Sequence, residues 1–411
     1  MARRTMRKGL KQPFEGLRVA DLSWVGVGPT VSKYLADHGA EVIRIESTTR
    51  PEALRNAPPF VNDDPNIDGS GYYANFNSSK LGVSVNMKLE KGVDVVKRLI
   101  AECDVVVESF TPGTMARFGL DYESVRAIRE DIVMISMPLY GQTGPWADYM
   151  GYGHVLQAAA GFSELTGFPD EPPIGTGIAY TDFLAPHFGT AALIAALDFR
   201  RRTGKGQYID LSQLEAVIHG LGTAPLDWTA NGNEQTRLGN RDSEAAPHGC
   251  YECRDGRYLV IACFTEKQWE GFKAALGRPD WADLERMRRK WSRLDEQKEI
   301  DRHTSGWAMQ LPAAQALNTM QKWGVPSGIV KSPEDMHDDQ QLRHRGHYWK
   351  LDHPVMGERT YDSPAFKLSK TPAELTKAAP LLGEDNEYVF KQILGMSDEE
   401  FTGLLIEGVF E

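Results

Sequence analysis

Apolar runs broken by glycine-rich turns dominate the first half of the chain. Residues 17–22 read as a buried strand, and Gly26, Gly28 and Pro29 break it. Residues 30–37 carry helical spacing, and residues 41–46 form a second strand. Strand, glycine turn, helix and strand within about 30 residues is the pattern of a βαβ unit, which implies a parallel sheet. Residues 50–80 lack periodicity and are rich in Pro, Asn, Asp and Gly, so they predict a long functional loop. Strands recur at 104–108, 132–136 and 207–211, with an amphipathic helix at 93–102, a glycine-rich connection at 140–153 and a helix at 191–200. This alternation predicts a doubly wound α/β domain.

The texture changes after about residue 225. Residues 249–264 suggest a hairpin turning at Asp255-Gly256, and residues 266–325 are helical and rich in Trp and charge. They predict a smaller α+β domain. Residues 333–354 are polar and His-rich, and the tail reads as extended chain before a last helix near 385–394.

Composition narrows the function classes. The chain has 411 residues with 41% hydrophobic and 25% charged positions, enough for two domains. Its longest uncharged apolar stretch, residues 183–197, is shorter than the roughly 18–20 residues of a membrane span. A net charge of −11 argues against nucleic acid or an anionic membrane as partner, yet permits a local basic pocket for an anionic ligand. The basic start (Arg3, Arg4, Arg7, Lys8, Lys11) has no apolar segment behind it and predicts a solvated arm. Four cysteines suit a reducing compartment, and a cytoplasmic location is expected.

Several residues invite chemistry. Gly26-Val27-Gly28 follows a strand, and Glu46 lies where a ribose-binding acid would sit, but Val31 and Pro29 replace the close-packing glycine of a dinucleotide fingerprint. A turn admitting another nucleotide-bearing ligand and a purely structural turn both remain open. Cys250-x-x-Cys253 beside His248 has no second pair, so buried thiols are expected and no metal. Lys80 and Arg117 each sit beside small or glycine-rich turns, where a cation and backbone N–H groups suit a phosphate; taken alone, each reads as a solvated surface charge. The run Arg200-Arg201-Arg202 and Lys205 reads as a solvated helix end. Asp182 stands just before a long uncharged helical stretch. It reads either as a helix N-cap or as a catalytic carboxylate.

Taken together these segments resemble the class III CoA-transferases, the carnitine/bile-acid (CaiB/BaiF-like) family. The resemblance rests on L-A-D-H-G-A-E-V-I-R-I-E within residues 16–46, on residues 75–88, on V-V-V-E-S-F-T-P-G within 105–119, on Y-G-Q-T-G-P at 140–145, on residues 157–161, on Asp182 with the small-residue helix after it, on R-T-G-K-G-Q at 202–207, and on A-P-L-L-G-E at 379–384. It implies a Rossmann-like large domain built from residues 1–224 and 336–411, a small α+β domain at 225–335, and a dimer of interlocked chains, formed with a second copy or with a paralogous subunit. It implies acyl-CoA as substrate, Asp182 as nucleophile, and coenzyme contacts at Gly26, Val27, Asn77, Lys80, Ser109, Phe110, Thr111, Arg117 and the 138–141 loop with Tyr140. Ser47 stands where some members carry a basic residue, with Arg50 nearby, and Pro138-Leu139 replaces Ser-Gly.

The same fold hosts α-methylacyl-CoA racemases, which use a His-Asp pair; the position of that His falls at Tyr152 here, with His154 two residues later. A racemase-type epimerase, or a non-catalytic CoA-binding subunit, is therefore the alternative. Residues 24–59, 75–80 and 237–248 are similar to the subgroup containing succinyl-CoA:benzylsuccinate CoA-transferase. That implies succinyl-CoA as donor and an aromatic or branched dicarboxylic acid as acceptor. Arg237, Arg241 and His248 suit the acceptor's second carboxylate and suit structural ion pairs equally well.

Overall fold

The structure is a computed structural model and describes residues 11–411. The basic residues Arg3, Arg4, Arg7 and Lys8 lie outside the described residues. The chain divides into two compact units, one of residues 11–162, 175–225 and 341–411, the other of residues 163–174 and 226–340. The segment 163–174, which the sequence pattern leaves in the larger region, belongs with the smaller unit.

The larger unit is built on a six-stranded sheet in the order β3-β2-β1-β4-β5-β6. Its strands are β1 (Arg18–Asp21), β2 (Glu41–Glu46), β3 (Leu81–Ser84), β4 (Val105–Glu108), β5 (Val133–Ser136) and β6 (Gln207–Asp210). All neighbours are parallel. Side chains alternate between the two faces of each strand. Val19, Val42, Val105, Val107, Val133 and Ile135 point to one face, against helix α1 (Val27–Ala36) and the long helix Tyr180–Thr203. Ala20, Ile43, Ile45, Val83, Val106 and Met134 point to the other. There they meet α3 (Glu90–Ala101) and the returning C-terminal segment with Phe390, Phe401 and Phe410. Burial on both faces explains why these strands read as apolar runs.

Several boundaries depart from the sequence expectation. Helix α1 begins at Val27, inside the glycine turn. The stretch 50–80 is not all loop: α2 (Gly71–Asn77) forms there because the Ser70 hydroxyl accepts from the Tyr73 N–H at 3.2 Å. The helix expected at 191–200 runs from Tyr180 to Thr203 with Pro186 inside it. Arg200 is not a solvated helix end; its guanidinium is largely buried and pairs with Asp104 at 2.9 Å and with Asp131. Arg201 and Arg202 do stay exposed, paired with Asp198. The polar stretch near 350 holds an unforeseen antiparallel hairpin, β10 (Tyr348–His353) with β11 (Gly357–Asp362), numbered after three strands of the smaller unit. A π-helical turn at Tyr388–Ile393 replaces the expected last helix, and an α-helix at Asp398–Ile406 follows it.

The smaller unit carries the antiparallel sheet β7 (His248–Glu252), β8 (Tyr258–Ala262) and β9 (Ser327–Ile329), with helices around it. Cys250 lies on β7, Cys253 just beyond it in the core, and all four cysteines are free. No helix among the described residues is long and apolar enough to cross a membrane.

Candidate active site

Strand order reverses between β1 and β4, so the loops leaving their carboxyl ends splay apart and open a crevice. The loop after β1 is Leu22–Gly26; the loop after β4 is Ser109–Gly113. Ser109 ties them together. Its hydroxyl accepts from the Trp24 N–H at 2.9 Å and donates to the Trp24 carbonyl at 3.0 Å. Phe110 packs edge-on against Trp24, with ring centroids 5.7 Å apart.

Asp182 lies against the same turn. A Cβ placed on Gly26 would fall 2.8 Å from the Asp182 Cβ, so only glycine lets the turn approach this side chain. Gly153 flanks it on another side: a Cβ there would fall 2.9 Å from Asp182 Oδ1 and 2.7 Å from Thr181 Oγ1. Asp182 is not an N-cap. Ala179 caps the helix without a side-chain bond, and Asp182 sits in the first turn, where the helix dipole favours a carboxylate. Pro186 has no N–H to offer the carbonyl of Asp182 four residues earlier. Burial raises the Asp182 pKa above the ordinary carboxylate value. The Thr181 hydroxyl, donating to Oδ1 at 3.1 Å, and the nearby His154 oppose that rise. Tyr72, on α2, lies within electrostatic range of both Asp182 and Glu52.

The acid limb of activity should reflect this balance, because a nucleophilic carboxylate acts only when ionised. Replacing Thr181 by Val removes the donor that favours the anion. The acid limb of kcat/KM should then move to higher pH, with the alkaline side unchanged, in a pH–rate profile.

Beneath the turn lies a buried charged layer that sequence reasoning missed. Lys80 is fully buried and donates to Asp21 Oδ2 at 3.0 Å, Pro29 O at 2.9 Å and Asn77 Oδ1 at 2.8 Å. Asn77 is equally buried and donates to the Tyr73 carbonyl. The reading of Lys80 as a solvated surface charge is thereby corrected: its ammonium is buried and its donors are engaged within the fold. Asp21 also accepts from Ser23 and Ser32. Burial alone would raise its pKa, but Lys80 and Arg44 hold it well below the carboxylate range. Arg44 is buried and donates to the Ser23 carbonyl. Glu46, offered above as a ribose ligand, is buried and bonded to Arg55 at 2.8 Å and to the Tyr73 hydroxyl at 2.7 Å. Glu108 ends β4 in a small cavity with Ser136, Gln142 and Tyr208, and burial pushes its pKa up to about 7. The only signal of this layer in the sequence is a charge at the end of, or within, an apolar strand: Asp21, Arg44, Glu46 and Glu108.

The other expected contacts fall in both units, Val27, Thr111, Arg117 and Tyr140 in the larger one. Val27 is buried at the start of α1. Thr111 is exposed on the loop after β4. Arg117 is exposed, donates to the Thr114 hydroxyl at 2.8 Å and forms no ion pair among the described residues. Tyr140, on the loop after β5, sits edge-on to Trp146 and Tyr149. In the smaller unit, Arg237 bonds Glu164 at 2.7 Å and Arg241 lies 3.7 Å from Asp301. His248 Nδ1 bonds the Asn240 carbonyl at 2.7 Å. These three side chains are engaged within their own unit.

Comparison with known proteins places this arrangement. The model of CoA-transferase family III matches residues 14–386. The chain is 32% identical over 401 residues to succinyl-CoA:glutarate CoA-transferase of Mus musculus, covering 97% of this chain and 91% of that one. It is 30% identical over 393 residues to the succinyl-CoA–L-malate CoA-transferase alpha subunit of Chloroflexus aurantiacus, covering 95% and 91%. A crystal structure of a CAIB/BAIF family protein from Brucella suis matches with a TM-score of 0.85 at 30% identity, covering 93% of this chain and 100% of that one.

Proposed function

The chain belongs to CoA-transferase family III, and from that premise we propose that it moves CoA from succinyl-CoA to a second dicarboxylic acid through an Asp182 thioester. The observation that carries this reading is the Asp182 carboxylate, buried at the switch-point crevice and walled by two glycines. Relatives named for succinyl-CoA with glutarate and with L-malate support a dicarboxylate acceptor. An aromatic or branched acid such as benzylsuccinate extends that class.

The chemistry proceeds in balanced steps. An Asp182 oxygen attacks the thioester carbon, the C–S bond breaks, and a mixed anhydride and CoA thiolate result. The thiolate attacks the aspartyl carbonyl, releasing succinate and leaving an aspartyl-CoA thioester. The acceptor carboxylate reverses both steps. Covalent storage keeps the thioester energy from being lost to water. Gly26 allows backbone to lie against the reacting carboxyl, and N–H groups of the two loops are suited to developing oxyanions. Arg117, exposed and free of ion pairs among the described residues, suits a phosphate of the coenzyme. The family's interlocked dimer is expected to complete the cleft, with a second copy or a paralogous chain.

A screen of glutarate, malate and benzylsuccinate with succinyl-CoA, read by mass spectrometry of the acyl-CoA products, tests the assignment. Succinate-coupled product from at least one acid is the expected result. No transfer to any dicarboxylate by the chain alone or with a paralogue defeats it. A second reading, epimerisation, is favoured by the electrostatic contact of His154 with Asp182. It predicts α-deuteration of a branched acyl-CoA in deuterated water without acid exchange.

A further inference from the structure

The glycine turn holds a conformation that its own sequence resists. Val25 has φ = +64°, in the left-handed region that a β-branched residue scarcely populates. Neighbouring structure must hold it there. Glu52 does so: its Oε1 accepts the Val25 N–H at 2.9 Å. Glu52 is fully buried, at 0% exposure. The same oxygen caps the short turn Ala53–Asn56 through the Leu54 N–H at 3.0 Å. A cap alone requires only the second bond. Its other oxygen faces buried Arg44 Nη2 at 3.9 Å, and Arg44 in turn grips the Ser23 carbonyl two residues before Val25. Gly26, the next residue, is the wall against Asp182.

We propose that Glu52 is a positioning residue for the transfer reaction, clamping the strained Val25–Gly26 backbone so that the turn holds the Asp182 carboxyl in its attacking orientation. This rests on the covalent reading above. It assigns Glu52 no contact with substrate; its effect passes through Val25 and Gly26. Without the clamp, Val25 relaxes toward an extended conformation, Gly26 withdraws, and Asp182 gains rotational freedom. Misplacement of a reacting group by about 1 Å costs about 100-fold in rate.

The test compares Glu52→Ala, Glu52→Gln and Glu52→Ala combined with Val25→Gly. Each is read by kcat, by KM for succinyl-CoA, and by the rate at which hydroxylamine converts Asp182 to its hydroxamate in the presence of succinyl-CoA. Glu52→Ala should lower kcat and trapping rate by about 30–100-fold with KM little changed. Glu52→Gln keeps an oxygen for the Val25 N–H and should restore most of the rate. Glycine adopts positive φ without steric cost, so Val25→Gly should recover about tenfold in the Glu52→Ala background. A role confined to stability would lower the melting temperature and leave the hydroxamate rate of the folded fraction unchanged, which overturns the proposal. So does a Glu52→Gln variant as slow as Glu52→Ala, or a Glu52→Ala chain that stays unfolded with Val25→Gly, because the charge toward Arg44 is then what matters. Failure to trap Asp182 in the parent enzyme defeats the covalent reading itself, a separate outcome.

Discussion

Asp182→Asn should lower CoA transfer by about 10⁴-fold or more while acyl-CoA still binds and the fold is no less stable at neutral pH. The amide keeps the shape of the side chain, so the walls at Gly26 and Gly153 still fit. It lacks the oxygen nucleophile, so neither anhydride nor aspartyl thioester forms. The stability half follows from the titration. Burial raises the folded pKa of Asp182 above its unfolded value, so the folded state binds more protons between the two. Stability from this group therefore falls as pH rises through that window, and at neutral pH the ionised carboxylate is a net cost. Removing the charge relieves that cost. Exchange assays, calorimetric acyl-CoA binding and thermal melts at pH 7 check the three parts together. Continued transfer at the parent rate would remove Asp182 from the reaction.

The elements that the sequence made legible are those whose neighbours act alike on every residue. Strands β1, β2, β4 and β5 are buried on both faces, and the apolar pairs and triplets Val19-Ala20, Val42-Ile43, Val105–Val107 and Val133–Ile135 mark them. Their order in the sheet, and with it the crevice between β1 and β4, comes from the structure; Gly26, Ser109 and Phe110 were named as coenzyme contacts through the family resemblance alone. Asp182 was legible as an isolated acid before an apolar helix, but its role as a cap was not right, because the helix starts two residues earlier at Tyr180. The charged layer under the turn was hidden for a different reason. Arg44 sits in an apolar strand, and its meaning depends on Asp21 and Glu52, which no local spacing connects to it. The burial of Lys80 was not legible because a short segment shows the cation and the turn, while its partner Asp21 lies 59 residues away. Gly153 read only as the last glycine of the 140–153 connection. Its value is the space it leaves beside a residue 29 positions later, which the coordinates alone reveal.

That space and its counterpart at Gly26 support the last expectation, that Gly26→Ala lowers kcat by about 100-fold with a smaller loss of melting temperature than Gly153→Ala. Gly26 has φ = −90° and ψ = −49°, which alanine adopts freely, so the backbone has no objection to the substitution. The new methyl carbon would stand 2.8 Å from the Asp182 Cβ and 3.3 Å from its Cγ and Oδ2. Rotation of the Asp182 side chain leaves that Cβ in place, so the turn or the helix backbone at Asp182 must give, which misdirects the nucleophile. Gly153→Ala is the more severe, with three atoms closer than 3.0 Å to the new carbon. Its methyl carbon would stand 2.5 Å from the Cβ of Ala179, an atom with no rotamer to change, so backbone must shift and stability should fall along with activity. Steady-state kinetics beside thermal melts separate the two variants. Equal losses of stability in both would mean that the Gly26 turn supports the fold as a whole, and not the orientation of one carboxylate.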